Sequence, residues 1–134
     1  MKEENRIQQK KIVVVDDDES IRKTFFLLFH RNYRVYLAAN SKEALKRFLN
    51  VKVDLLIVDL RLPEIDGLEM ITRFREKGYR GEVILISAYP DLIEPERLSR
   101  LSISHFFVKP LDLEALNRSV DYLLKEKESN QPLL

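Results

Sequence analysis

The chain has no cysteine, no tryptophan, three glycines and two histidines, His30 and His105. Without cysteine there is no disulfide framework, no thiol catalysis and no zinc knuckle. Two isolated histidines do not build a His-rich metal site. An excess of one charge is also missing, since 23 basic and 22 acidic side chains leave a net charge of +1. That balance gives no large electrostatic handle for nucleic acid, so direct nucleic-acid binding is not expected. No apolar run approaches the roughly 18 residues of a membrane helix, and Met1-Lys2-Glu3-Glu4 opens no signal peptide. The expectation is a cytoplasmic protein without a membrane partner. What is present is 134 residues, 45% hydrophobic and 34% charged, which suits one globular domain with its own core.

Two kinds of segment alternate along the chain. Short β-rich runs occur at 11–15, 34–38, 54–58, 82–86 and 104–108. The first, third and fourth are nearly continuous Val, Ile and Leu, the pattern of parallel strands covered on both faces. The second and fifth are more polar, as less buried strands would be. Between them, Ile21, Phe25, Leu28 and Phe29 keep helical spacing, and Asn40 with Glu43 reads as a cap ahead of Ala44, Leu45, Phe48 and Leu49. Leu68, Ile71 and Phe74 form a third stripe closed by Gly78. Residues 92–101 make a weaker helix with Pro95 in its first turn, and Asp112 caps a stripe of Leu116, Val120, Leu123 and Leu124.

Five βα units in succession argue for an α/β fold with a five-stranded parallel sheet, doubly wound by right-handed crossovers. Five units cannot close an eight-stranded barrel. The expected architecture is the flavodoxin-like (βα)5 arrangement with strand order 2-1-3-4-5. Residues 1–10 are read as a polar arm, 11–124 as the domain, and 125–134 as a helix end and tail or the start of a linker.

In such a sheet the ligand site lies beyond the carboxyl ends of the strands, where the winding reverses between strands 1 and 3. Strand 1 ends in Asp16-Asp17-Asp18, and Asp59 ends strand 3. One of the first three acids, Asp18, can cap the first helix, but capping does not explain Asp59. Clustered carboxylates cost stability unless a cation or a proton intervenes. Magnesium fits best, because it needs few protein carboxylates and keeps waters that a phosphoryl group can replace. Strand 4 ends in Ser87-Ala88 and strand 5 in Lys109-Pro110, so a hydroxyl and an ammonium join the acids on one edge. Together these groups can surround a phosphoryl group with positive charge and donors.

At this point a family resemblance is plain. Val13-Val14-Val15-Asp16-Asp17-Asp18-Glu19 is similar to the acidic pocket of response-regulator receiver domains, of two-component signal transduction. The segment from Leu56 to Gly67, with Asp59, Pro63 and Asp66-Gly67, resembles the family's phosphoacceptor segment. Ile84-Leu85-Ile86-Ser87-Ala88 and Phe107-Val108-Lys109-Pro110 match its two remaining signatures. The resemblance covers roughly residues 11–124.

It implies that Asp59 accepts phosphate from a histidine kinase or phosphotransfer protein. Asp17, Asp59 and the backbone carbonyl of Arg61 would ligate Mg²⁺, with Asp16 acting partly through a bound water. Ser87 would hold a phosphoryl oxygen, and Lys109 would pair with Asp59 and then with its phosphate. Ser87 and Phe106 would form the switch, while Arg61 and Tyr89 would border the phosphoryl group and tune its lifetime. The surface of helix 4, strand 5 and helix 5 would signal to an effector or output domain, and a phosphorylation-dependent dimer belongs to the same expectation. Three positions depart from the family's usual pattern. Leu101-Ser102-Ile103-Ser104-His105 replaces a loop that usually carries Gly-Ala, Phe106 stands for Tyr, and Ser87 for Thr.

Three other readings share the fold. An FMN carrier needs a Ser/Thr- and Gly-rich phosphate loop, and Asp16 to Glu19 would repel that phosphate. An aspartate-based phosphohydrolase would want a second acid where Arg61 stands. A pseudo-receiver would bind a partner without phosphorylation, and the full set of site residues argues against it.

Overall fold

The computed structural model describes residues 9–126. Most of the expected arm and tail, residues 1–8 and 127–134, therefore lies outside the described residues. The strands are β1 (Lys11–Val15), β2 (Arg34–Ala38), β3 (Leu55–Asp59), β4 (Glu82–Ser87) and β5 (His105–Val108). The helices are α1 (Glu19–Phe29), α2 (Ser41–Phe48), α3 (Gly67–Glu76), α4 (Pro95–Arg100) and α5 (Leu113–Asp121). All strand pairings are parallel, and the sheet order is β2-β1-β3-β4-β5, as the alternation of segments predicts.

The period of two along each strand builds two cores from one sheet. Ile12, Val14, Leu55, Ile57, Ile84 and Ile86 face Phe25 and Phe29 of α1 and Leu116 and Val120 of α5. Val13, Val15, Leu56, Val58, Val83 and Leu85 face α2 and α3, meeting Ala44, Phe48, Leu68, Ile71 and Phe74. Each aliphatic side chain sealed in this way contributes about 2 kcal/mol. The central strands are buried except at Lys11 and Glu82, where β1 and β4 begin, whereas β2 and β5 at the edges are half-exposed.

Capping follows the sequence closely. Asp18 accepts from Ser20 N, Asn40 from Glu43 N and Asp112 from Ala115 N. The Glu43 carboxylate reaches back to Ala39 N at 2.7 Å, and Gly78 closes α3 with φ of 98°.

Several boundaries differ from the sequence expectation; β4 runs one residue further, to Ser87, and β5 starts one later, at His105. The helix expected over 92–101 divides into a 3₁₀ turn, Pro90–Leu92, and α4, which begins only at Pro95. Pro95 disfavours helical backbone in the residue before it, and Glu94 is extended at φ −78°, ψ 129°. The last helix is regular only to Asp121, and a wider π turn, Tyr122–Glu126, carries Leu123 and Leu124 into the core. Finally, β3 lies one residue later than the apolar run 54–58, with Asp59 as its last residue, paired with Ile86. No helix among the described residues is long and apolar enough to cross a membrane.

Candidate functional site

β1 and β3 are neighbours in register, so the residues that end them emerge side by side. Asp16 and Asp59 are buried there, while Asp17 is exposed. One carboxylate oxygen from each of the three lies within 4.8 Å of the other two. That is a hard-oxygen donor set small enough to share a single hard cation. The mouth of the site is an open cavity of about 520 Å³ lined by Asp17, Arg61, Leu62, Pro63 and Asp66.

Lys109 arrives from the end of β5. Its Nζ donates to Asp59 Oδ2 at 2.9 Å and stands 4.0 Å from Asp16 Oδ2. Burial works against its charge, but the hydrogen bond to Asp59 and the charges of Asp59, Asp16 and Asp17 outweigh it and hold the ammonium pKa above its usual value. Asp16 shifts the same way with the opposite consequence for its charge: burial pushes its pKa up from 3.8 to about 6. The hydrogen bond from Asp18 N opposes that rise, and the neighbouring charge of Asp59 adds to it. The other Asp59 oxygen, Oδ1, accepts from Arg61 N at 3.1 Å. The Lys109–Pro110 peptide bond is cis.

The remaining sequence candidates are nearby but otherwise engaged. Ser87 is fully buried, and its hydroxyl accepts from Tyr89 N at 2.8 Å. Strand alternation from Val83 and Leu85 gives Ser87 the α4 side of the sheet, the side on which Phe106 packs half-buried. The Arg61 guanidinium lies over the Tyr89 ring, 5.0 Å from its centroid, with both residues exposed.

Several supporting residues escaped the sequence reading. Arg22 of α1 donates to the Asp16 carbonyl at 2.8 Å, anchoring the end of β1. The buried Ser41 hydroxyl donates to Ile65 O at 2.7 Å and ties the β3–α3 loop to α2. Gly67 backs Asp59 so closely that an added Cβ would stand 2.4 Å from the Asp59 carbonyl oxygen. The Asp-Gly pair is visible in the sequence, but the close approach that requires glycine is not. A groove of about 270 Å³ between α1 and the β5–α5 loop runs past Lys109, lined mainly by Ile21, Phe25, Pro110, Leu111 and Leu113.

The profile of the response regulator receiver domain matches residues 12–121. The chain belongs to this family. Among related proteins, this receiver domain is 30% identical to the regulatory protein AtoC of Escherichia coli over 95 residues. That alignment covers 71% of this chain and 21% of AtoC, so the receiver spans about a fifth of that regulator. It is 28% identical to the sporulation initiation phosphotransferase F of Bacillus subtilis, over 72% of this chain and 78% of that protein. Among solved structures it resembles the response regulator TrrA of Thermotoga maritima, determined in complex with Mg(2+)-BeF. The TM-score there is 0.74 at 34% identity, covering 86% of this chain and 99% of that one.

Proposed function

We propose that residues 11–124 act as the phosphoacceptor unit of a two-component regulator, a signalling domain rather than a turnover enzyme. Asp59 takes a phosphoryl group from a phosphohistidine on a sensor kinase or phosphotransfer protein. The carboxylate oxygen attacks phosphorus, the P–O bond forms, and the P–N bond breaks. The electron pair of that bond leaves with the donor imidazole, which takes up a proton. The observation that carries the reading is the buried Asp59 carboxylate, bound by Lys109 at 2.9 Å and flanked by Asp16 and Asp17.

Asp17, Asp59 and the Arg61 backbone carbonyl would hold Mg²⁺, with Asp16 reaching it through a water. When bound, the ion would neutralise charge on the transferring group. Lys109 moves from Asp59 to an oxygen of the phosphoryl group, where its enforced positive charge is most useful. Ser87 gives up the Tyr89 amide and donates to another phosphoryl oxygen. That withdrawal opens room on the α4 side, into which Phe106 turns. The half-exposed face of α4, β5 and α5, with exposed Val108 on β5 and exposed Leu92 in the turn before α4, carries the signal to an effector, an output domain or a second copy. The donor approaches over the apolar groove beside Lys109. A cytoplasmic location goes with this reading.

The test is incubation with Mg²⁺ and acetyl phosphate, followed by intact mass. One labile phosphoryl adduct, absent in Asp59→Asn, is the expected result. Turnover of a phosphate monoester without an adduct would replace this reading with a hydrolase. Yellow colour on adding FMN would replace it with a flavoprotein.

A further inference from the structure

The loop before β5 turns without the expected glycine. Ser102 adopts a left-handed backbone there, with φ of 55°. A left-handed non-glycine residue costs about 1 kcal/mol or more and persists only where its surroundings hold it. Part of the hold is local. Ile103 N donates to Leu98 O at 3.1 Å and Ser102 N to Ser99 O at 3.0 Å, the closing pattern of a helix ended by a left-handed residue.

The rest comes from another helix. Arg75, in the last turn of α3, donates from Nε to Leu101 O at 2.9 Å and from Nη2 to Ser102 O at 3.1 Å. Its Nη1 donates to Tyr79 O at 3.0 Å and Gly81 O at 2.9 Å, and the guanidinium lies 5.2 Å from the Tyr79 ring centroid. One planar cation therefore joins the carbonyl end of α4 to the α3–β4 loop, where a positive charge also suits the helix dipole. Ser104 completes the corner: its N donates to Val83 O, its hydroxyl donates to Glu82, and the same oxygen accepts from Val83 N.

The opposite end of α4 is lightly held. Glu94 makes no side-chain cap, α4 buries no residue fully, and residues 88–92 are exposed. Ile93 alone between Ala88 and Pro95 is buried.

We propose that Arg75 is the positioning residue of the switch, a fixed pivot that keeps the end of α4 and the turn into β5 still while residues 88–94 rearrange. The proposal rests on the receiver reading above. It assigns this role to a residue at the end of the sheet opposite Asp59, acting through α4 and touching no reacting atom.

Backbone amide exchange, resolved by residue, tests it in the presence of Mg²⁺, with and without beryllofluoride as a phosphoryl mimic. In the unaltered protein the amides of Tyr89, Leu92 and Ile93 should change exchange rate at least tenfold, and those of Ile103 and Ser104 less than twofold. In Arg75→Met the adduct should still form, but the Ile103 and Ser104 amides should now respond at least tenfold. Tyr79→Phe removes a different hydrogen bond of the same corner, from Tyr79 OH to Glu82 O at 2.9 Å. It should lower stability yet leave Ile103 and Ser104 silent, which separates pivoting from general weakening. If Arg75→Met does not fold, Arg75→Lys is read by the same criterion. Equal responses at both ends of α4 in the unaltered protein, or silent Ile103 and Ser104 in the Arg75 variant, would overturn the pivot. No response at any amide together with no phosphoryl adduct would overturn the receiver reading, and the pivot with it.

Discussion

The two ends of β4 solve opposite problems. At the carboxyl end, three carboxylates face one ammonium, and Ser87 has turned its hydroxyl to the adjacent Tyr89 amide. The chain beyond it, from Ala88 to Leu92, is exposed. At the amino end, Arg75 meets neutral carbonyls, Tyr79 OH donates to Glu82 O, and Ser104 bridges β4 and β5. One end stores excess negative charge that a bound cation or a proton can relieve. At the other, four hydrogen bonds from Arg75 to backbone carbonyls tie the end of α4 to the α3–β4 loop. Local opening free energies follow such differences, being lowest where few buried contacts hold the backbone. A strand built this way can change at one end while the other keeps register.

The largest test strikes the acidic end where it is tightest. Gly67→Ala would put a methyl 2.4 Å from Asp59 O and 3.0 Å from Val58 Cγ1. Backbone cannot yield as a side-chain tip does, so the cost should be about 3 kcal/mol, read by urea unfolding. The displaced Asp59 should also label poorly with acetyl phosphate. A loss under about 1 kcal/mol would show that the end of β3 is soft and that only the amino end is rigid.

The next concerns stored charge. Asp16 has a folded pKa of about 6 against an ordinary 3.8, chiefly through burial. The folded protein therefore keeps this proton to higher pH than the unfolded chain does. The associated stability is fully present below about pH 4 and is lost as pH rises through 6, on the order of 2 kcal/mol. In chelator, Asp16→Asn should remove that loss, because an amide keeps the acceptor for Asp18 N without a charge. A difference between the two proteins that is the same at pH 4.5 and pH 7.5 would mean that the carboxyl end stores no such strain.

These residues also show what a one-dimensional reading can reach. Asp16, Asp17, Asp59 and Lys109 were legible together because apolar runs mark the strands and their order brings those ends to one edge. The caps at Asn40 and Asp112 were legible because their chemistry is local. Arg75 was not. An arginine in a helix that also carries Arg73 looks like a solvated charge, and its carbonyl partners at 101 and 102 are far along the chain. The missing glycine before β5 was visible, but its remedy lay on another helix. The division of the fourth helical segment was half-legible, since Pro95 was noticed but placed inside a longer helix.

The smallest effect tests whether the exposed rim of the acidic end matters. The aspartyl phosphate proposed at Asp59 would be lost when water attacks in line, opposite the Asp59 oxygen. From sequence alone, Arg61 would reach an equatorial phosphoryl oxygen while Tyr89 shields. In the structure the two form a unit instead, the guanidinium 5.0 Å from the ring centroid. Such an exposed stack is worth about 0.5–1 kcal/mol, enough to favour the closed cover but not to lock it. Neither side chain is a carboxamide or an acid that would orient the attacking water. An arginine could instead speed hydrolysis by stabilising the transition state, but without a positioned water that gain has little to act on. Arg61→Asn combined with Tyr89→Ala should therefore raise autodephosphorylation about tenfold, about 1.4 kcal/mol of barrier. Because each holds the other, either single change should give most of the increase, and the two effects should not add. Phosphate release from acetyl-phosphate-labelled protein in Mg²⁺, followed after the donor is removed, measures all four rates. An unchanged or slower rate in the double variant would show that the rim does not guard the phosphoryl group. Fully additive single effects would show that Arg61 and Tyr89 act separately, not as one cover.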